Sequence, residues 1–149
     1  MRKFRFRLQS LENIKGLELD TLRQQLAKKQ AAVRSAEQSL LAIRDALNDA
    51  YNELAKLRSE GRTDSTLLLS LESYTVLLRD QLRAQAQRVM QLRREMEEAR
   101  GLLLTKHREK KVLEKYRERQ LAKYSLNVER EEQKQLDETA SNAYQQDSL

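Results

Sequence analysis

The chain has 149 residues, a net charge of +6 and 35% charged residues, with no Pro, no Cys, no Trp and only three Gly. Average usage would supply roughly seven Pro and ten Gly at this length, so helix breakers are nearly absent and an ordinary globular domain is disfavoured. The lack of Cys excludes a disulfide framework and any thiolate metal site.

The first stretch, residues 1–15, opens with Arg2, Lys3, Phe4, Arg5, Phe6, Arg7 and Leu8. It reads as the start of a helix 1 spanning residues 1–58, with Phe4, Leu8 and Leu11 on one face and Phe6 turned away. Two readings stand side by side. The phenylalanines either cover the end of an apolar seam or form an exposed anchor for a partner, since Phe flanked by Arg suits an interface. The basic start lacks the following apolar stretch of a signal peptide, and runs such as Leu102-Leu103-Leu104 are far too short to span a membrane.

From Leu17 to Arg58 the apolar ladder is regular, in steps of three and four: Leu19, Leu22, Leu26, Lys29, Val33, Ala36, Leu40, Ile43, Leu47, Ala50, Leu54 and Leu57. Lys29 is its one charged member, and a lone polar residue at such a position fixes register at some cost in stability. Leu17, Leu41 and Tyr51 lie off the ladder.

Residues 59–65 break the pattern and read as the turn. Gly61 suits the left-handed stop of a helix, and Asp64 or Ser65 the cap of the next one. Helix 2 is expected over residues 66–138, with its own ladder of Leu68, Leu71, Thr75, Leu78, Leu82, Gln85, Val89, Leu92, Met96, Ala99, Leu103 and Lys106. Folding back at the turn opposes the two ladders, Leu47 with Leu78, Ile43 with Leu82, Val33 with Leu92, Leu22 with Leu103. A 3.5-residue repeat keeps one stripe on one partner. The expected fold is therefore all-α, a long antiparallel two-helix coiled-coil hairpin, and a single elongated domain. In this register Met1 stands opposite Tyr124, so helix 2 overhangs at its C-terminal end. The polar residues 139–149 read as a disordered tail.

Toward the base the seam decays: Lys106, Lys110, Leu113 and Arg117 face Leu19, Lys15, Glu12 and Leu8. Basic charge gathers there. Residues 105–124 hold eight Lys and Arg against three Glu, a net +5, whereas residues from 125 onward hold two basic and six acidic residues, a net −4. A tight tip, a loose basic base and an acidic extension are expected.

No catalytic apparatus is apparent. His107, the single histidine, sits between Lys106 and Arg108 on a solvated stretch, with no partner or pocket for base chemistry. No residue set suits zinc or calcium, no glycine-rich phosphate loop occurs, and no cofactor is implied. The reading is a non-enzyme. A basic stretch beside a leucine ladder also suggests a DNA-binding zipper, but this chain carries its own second ladder. Glu109, Glu114 and Glu118 would in addition repel phosphates, so nucleic acid is set aside.

The run from Lys106 to Gln120, followed by Glu129-Arg130-Glu131-Glu132-Gln133-Lys134-Gln135-Leu136-Asp137-Glu138 and preceded by the opening Phe4 to Leu11, resembles the FliJ family over nearly the whole length. That family supplies the small coiled-coil component of the flagellar type III export apparatus. The resemblance implies a stalk similar to the rotor subunit of rotary ATPases. The end carrying both termini would insert into the export ATPase ring, with further contacts to the cytoplasmic domain of the export gate and to chaperone–substrate complexes. Carried onto this chain, the ATPase-facing set is Arg2, Arg5, Arg7, Arg108, Lys111, Lys115, Arg119, Gln133, Lys134, Leu136, Asp137 and Glu138. The gate-facing set is Leu47, Tyr51, Tyr74 and Leu78. The implied location is cytoplasmic, peripheral on the inner membrane through the apparatus. A stalk of a virulence-type secretion machine or rotary ATPase, or a generic coiled-coil scaffold, are the alternatives.

Overall fold

In the computed structural model, which describes residues 3–61 and 65–146, the chain is all α. Two long helices run antiparallel, α1 (Gln9–Ser59) and α2 (Ser65–Gln146). The expected coiled-coil hairpin is what these residues build. Arg2 and Asp64 lie outside the described residues, as does the side chain of Ser65, so the capping role assigned to Asp64 or Ser65 falls there too.

Two compact units divide the hairpin, Thr21–Leu103 and Met1–Asp20 with Leu104–Leu149. In the first, every ladder residue from Leu22 to Leu57 and from Leu68 to Leu103 is buried or half-buried, while most of the positions between them are exposed. Leu47, Ala50 and Leu78 form its central cluster, with Ile43, Ala46 and Leu82 packed against it. Each buried Leu contributes about 1.5–3 kcal/mol relative to exposure. Flanking pairs hold the same register: Arg58 Nη2 lies 3.3 Å from Glu72 Oε1, Arg93 Nε donates to Glu37 Oε1 at 3.0 Å, and Gln85 Nε2 donates to the Ala36 carbonyl at 3.0 Å. Thr75, only 2% exposed, satisfies its hydroxyl locally by donating to the Glu72 carbonyl at 2.7 Å. A polar residue therefore sits in the seam without an orphaned group. Lys29 is half-buried, which a long apolar stem tolerates while its charge stays in water.

α1 ends as its sequence dictates. Lys56 and Arg58 occupy the last turn, where positive charge meets the negative end of the helix dipole. The amide of Glu60 donates to the Lys56 carbonyl at 3.1 Å and that of Gly61 to the Arg58 carbonyl at 3.4 Å. Gly61 then takes φ +65°, a left-handed conformation that costs an L-residue about 1–2 kcal/mol.

The second unit departs from the expectation at its start. α1 begins at Gln9, and residues 3–6 carry no regular structure before a turn at residues 7 and 8. A helix starting at the chain's first residues would set Lys3, Arg5 and Arg7 against the positive end of its own dipole. The segment instead alternates. Lys3, Arg5 and Arg7 are exposed while Phe4, Phe6 and Leu8 are half-buried. The rings of Phe4 and Tyr124 have centroids 5.6 Å apart, and those of Phe6 and Tyr116 6.0 Å apart. At its other end α2 continues to Gln146, through the polar segment expected to be a tail; no Gly or Pro interrupts it there. Every described residue from 129 to 145 is exposed.

Candidate partner-binding surface

The basic residues of the second unit fall into two groups, set by helical position. One group lines the seam and is paired. Lys15 Nζ lies 2.7 Å from Glu109 Oε2, and Lys106 Nζ reaches the same oxygen at 3.4 Å. Lys110 Nζ stands 3.8 Å from Glu114 Oε1, and Arg117 Nη1 3.7 Å from Glu12 Oε1. The hydrogen bond from Lys15, and then that from Lys106, holds the Glu109 carboxyl below its ordinary range. In turn the bond to Glu109 raises the Lys15 ammonium above its usual value. These cations replace apolar seam residues and are consumed inside the hairpin. Packing is correspondingly thin: among the described residues, Leu19 is the one fully buried residue of this unit.

The other group points away. Arg108, Lys111, Lys115 and Arg119 follow one another at steps of three and four, which places them on one face of α2. All four are exposed, and none makes a hydrogen bond or ion pair among the described residues. Their charge is available to something outside the chain. Arg5 and Arg7 join the exposed set because Phe4 and Phe6 turn inward on the alternating segment. Two ring pairs, each contributing about 0.5–1.5 kcal/mol beyond area, oppose an ordering cost of about 1–2 kcal/mol per residue. The segment is held lightly. Further along α2, Gln133, Lys134, Leu136, Asp137 and Glu138 are all exposed, and Leu136 is 70% exposed. No Leu that size gains by standing in water, so this block too has surface to offer.

The gate-facing set is split by burial. Leu47 and Leu78 are 7% and 5% exposed; they belong to the central cluster and present almost nothing to a partner. Tyr51 and Tyr74 are exposed. Tyr51 lines a shallow groove with Arg58, Glu72 and Val76, on the flank where each residue follows a seam position. Tyr74 precedes Thr75 in the seam and so stands on the opposite flank. No single flat contact reaches both. His107 makes no hydrogen bond or ion pair among the described residues. No group of His, Cys, Asp and Glu among them could hold a metal ion.

The alternating segment is the feature that helical reasoning missed. Its signal was present in Lys3-Phe4-Arg5-Phe6-Arg7-Leu8, where strict polar–apolar alternation has the period of extended chain rather than helix.

Among known families, the model described as flagellar FliJ protein matches residues 4–148. No curated protein and no solved structure matches the chain.

Proposed function

The chain belongs to the FliJ family, whose model spans nearly its full length, and on that premise we propose that it is the non-enzymatic stalk of a flagellar type III export apparatus. The end bearing both termini enters the ring of the export ATPase and promotes its assembly and activity. The opposite end, near the turn, touches the cytoplasmic domain of the export gate, and the hairpin helps to deliver chaperone–substrate complexes. It works in the cytoplasm, held peripherally at the inner membrane by the apparatus. No described helix is long and apolar enough to cross a membrane.

One observation carries this reading: the division of basic charge. The seam cations are paired within the hairpin, whereas Arg108, Lys111, Lys115 and Arg119 are exposed and have no ion-pair partner among the described residues. Four aligned cations on a lightly packed end suit an enclosing acidic surface, and such charges act mainly on association. For the gate the useful residues are Tyr51 and Tyr74, because Leu47 and Leu78 are committed to the seam.

The test is binding of purified export ATPase and gate domain to the parent and to two variants. Reversal of Arg108, Lys111, Lys115 and Arg119 to Glu should abolish ATPase binding and spare gate binding, with a normal melt. Tyr51→Ala with Tyr74→Ala should do the opposite. Unchanged ATPase binding by the charge-reversed, folded variant would refute the stalk reading.

A further inference from the structure

The face of α2 that carries Arg108, Lys111, Lys115 and Arg119 does not end with them. Continued at steps of three and four, it runs through Ala122, Leu126, Glu129, Gln133, Leu136 or Asp137, and Ala140 to Tyr144. At its near end it begins with Leu104. Leu104, Leu126, Leu136 and Tyr144 are all exposed. The stripe has apolar residues at both ends and at its middle. It is basic before the middle and acidic after it. Spacing of this kind is that of a helix seam, yet α1 packs on a different face of α2, the one carrying Lys106, Lys110 and Leu113.

We propose that this outer stripe is the seam of an intermolecular coiled coil. In it, α2 of one chain pairs antiparallel with α2 of a second copy about a twofold axis at the level of Tyr124. In that register Leu104 faces Tyr144 of the second copy, Ala122 faces Leu126, Lys111 faces Asp137 and Arg119 faces Glu129. Twofold symmetry makes each pair occur twice, as an isologous interface requires. A parallel pairing would set Lys on Lys and Glu on Glu, so charge selects the antiparallel one. The partner also gives the C-terminal part of α2 what it lacks. Most helical stability in proteins comes from packing rather than propensity, and here the exposed end of α2 gains a facing helix along its length. The dimer covers the same four cations that the export ATPase would use, so self-association and ATPase binding compete. The inference itself depends only on the stripe.

Sedimentation velocity of the full-length protein, over micromolar concentrations at low and high salt, tests it. The parent should self-associate at low salt and dissociate at high salt. Lys111→Glu with Arg119→Glu, or Glu129→Lys with Asp137→Lys, should each weaken self-association by at least about tenfold, since attractive pairs become repulsive. An equimolar mixture of these two variants should associate again, because each then presents the charge the other lacks. The variant carrying all four changes should regain self-association. Circular dichroism establishes that each variant keeps its helix. A parent that stays monomeric, variants that associate like the parent, or a mixture that remains monomeric would overturn the proposal. Because only this chain is present, such a failure leaves the stalk reading untouched.

Discussion

Leu78→Ala separates a seam residue from a surface contact. Leu78 is 5% exposed and sits against Leu47, Ala50, Ile43 and Leu82. In deep cores Leu→Ala costs roughly 2–5 kcal/mol, the larger values where a cavity cannot collapse. This seam is one side chain deep, and Ile43 and Leu82 are only partly buried. Both have room to relax into the gap, so the cost should lie at the lower end, ~2–3 kcal/mol. For a chain of this size each kcal/mol moves the melting midpoint by about 2–4 °C, giving a fall of about 4–12 °C. Leu136→Ala is the control: its side chain is 70% exposed, and the change should stay within about 0.5 kcal/mol. Thermal melts followed by circular dichroism, with urea titration as a check, read both. Equal melts for Leu78→Ala and Leu136→Ala would refute the seam. So would a Leu78→Ala protein of full stability that has lost only gate binding.

Gly61→Ala should cost about 1–2 kcal/mol in the same melts. No atom lies within 4 Å of the added methyl, so the whole effect comes from φ +65°; an unchanged melt would mean the turn is built otherwise. Phe4→Ala with Phe6→Ala should speed amide exchange over residues 9–20 and 104–124, yet leave residues 33–57 and 68–92 unchanged; a uniform change along both helices would contradict the separate packing of that segment. The Glu109 carboxyl is held below its ordinary value of 4.5, so its bonds stabilise fully above that pH and are lost as pH falls through the lowered value. The Lys15 ammonium is held above 10.5, so its share is present below that pH and lost only above the raised value. Protection over 9–20 and 104–117, taken relative to the intrinsic exchange rate at each pH, should therefore stay flat through neutral pH and fall only below about 4.5, and Glu109→Gln should remove that acid-side change.

The hairpin was legible because its determinants are local and repetitive. Ladder spacing gave two stripes, and Gly61 with its polar neighbours gave one place to fold back. Opposing the ladders then left one register with a short turn. Two features were harder to read. Residues 3–8 alternate with the period of extended chain, but a helical reading continued from the ladder turned Phe6 outward; the tyrosines that hold both rings, Tyr116 and Tyr124, lie more than a hundred residues away in sequence. The end of α2 was read as a tail from its polarity. Polarity argues against burial, however, and not against helix, and without Gly or Pro after Gly101 nothing local stops α2 before Gln146. As for the surface, the sequence placed the cations on α2 but could not tell paired from unpaired. Lys110 and Lys111 are neighbours in the chain; the ladder sets Lys110 in the seam, and the structure adds its carboxylate partner, Glu114 one turn on, while Lys111 faces solvent. Leu47 and Leu78 show the other side of this: the resemblance assigns them to a gate contact, while the ladder spacing also places them in the seam, where they are buried.

The most direct measurement places a photoreactive benzophenone amino acid at single positions of the full-length protein, in cells assembling the export apparatus. At Lys111 or Lys115, on the exposed basic face of α2, illumination should join the chain covalently to the export ATPase subunit. At Arg94, exposed on the same helix but in the other unit, it should not. Adducts to the ATPase from Arg94 as readily as from Lys115, or none from either Lys111 or Lys115 while export proceeds normally, would contradict the account.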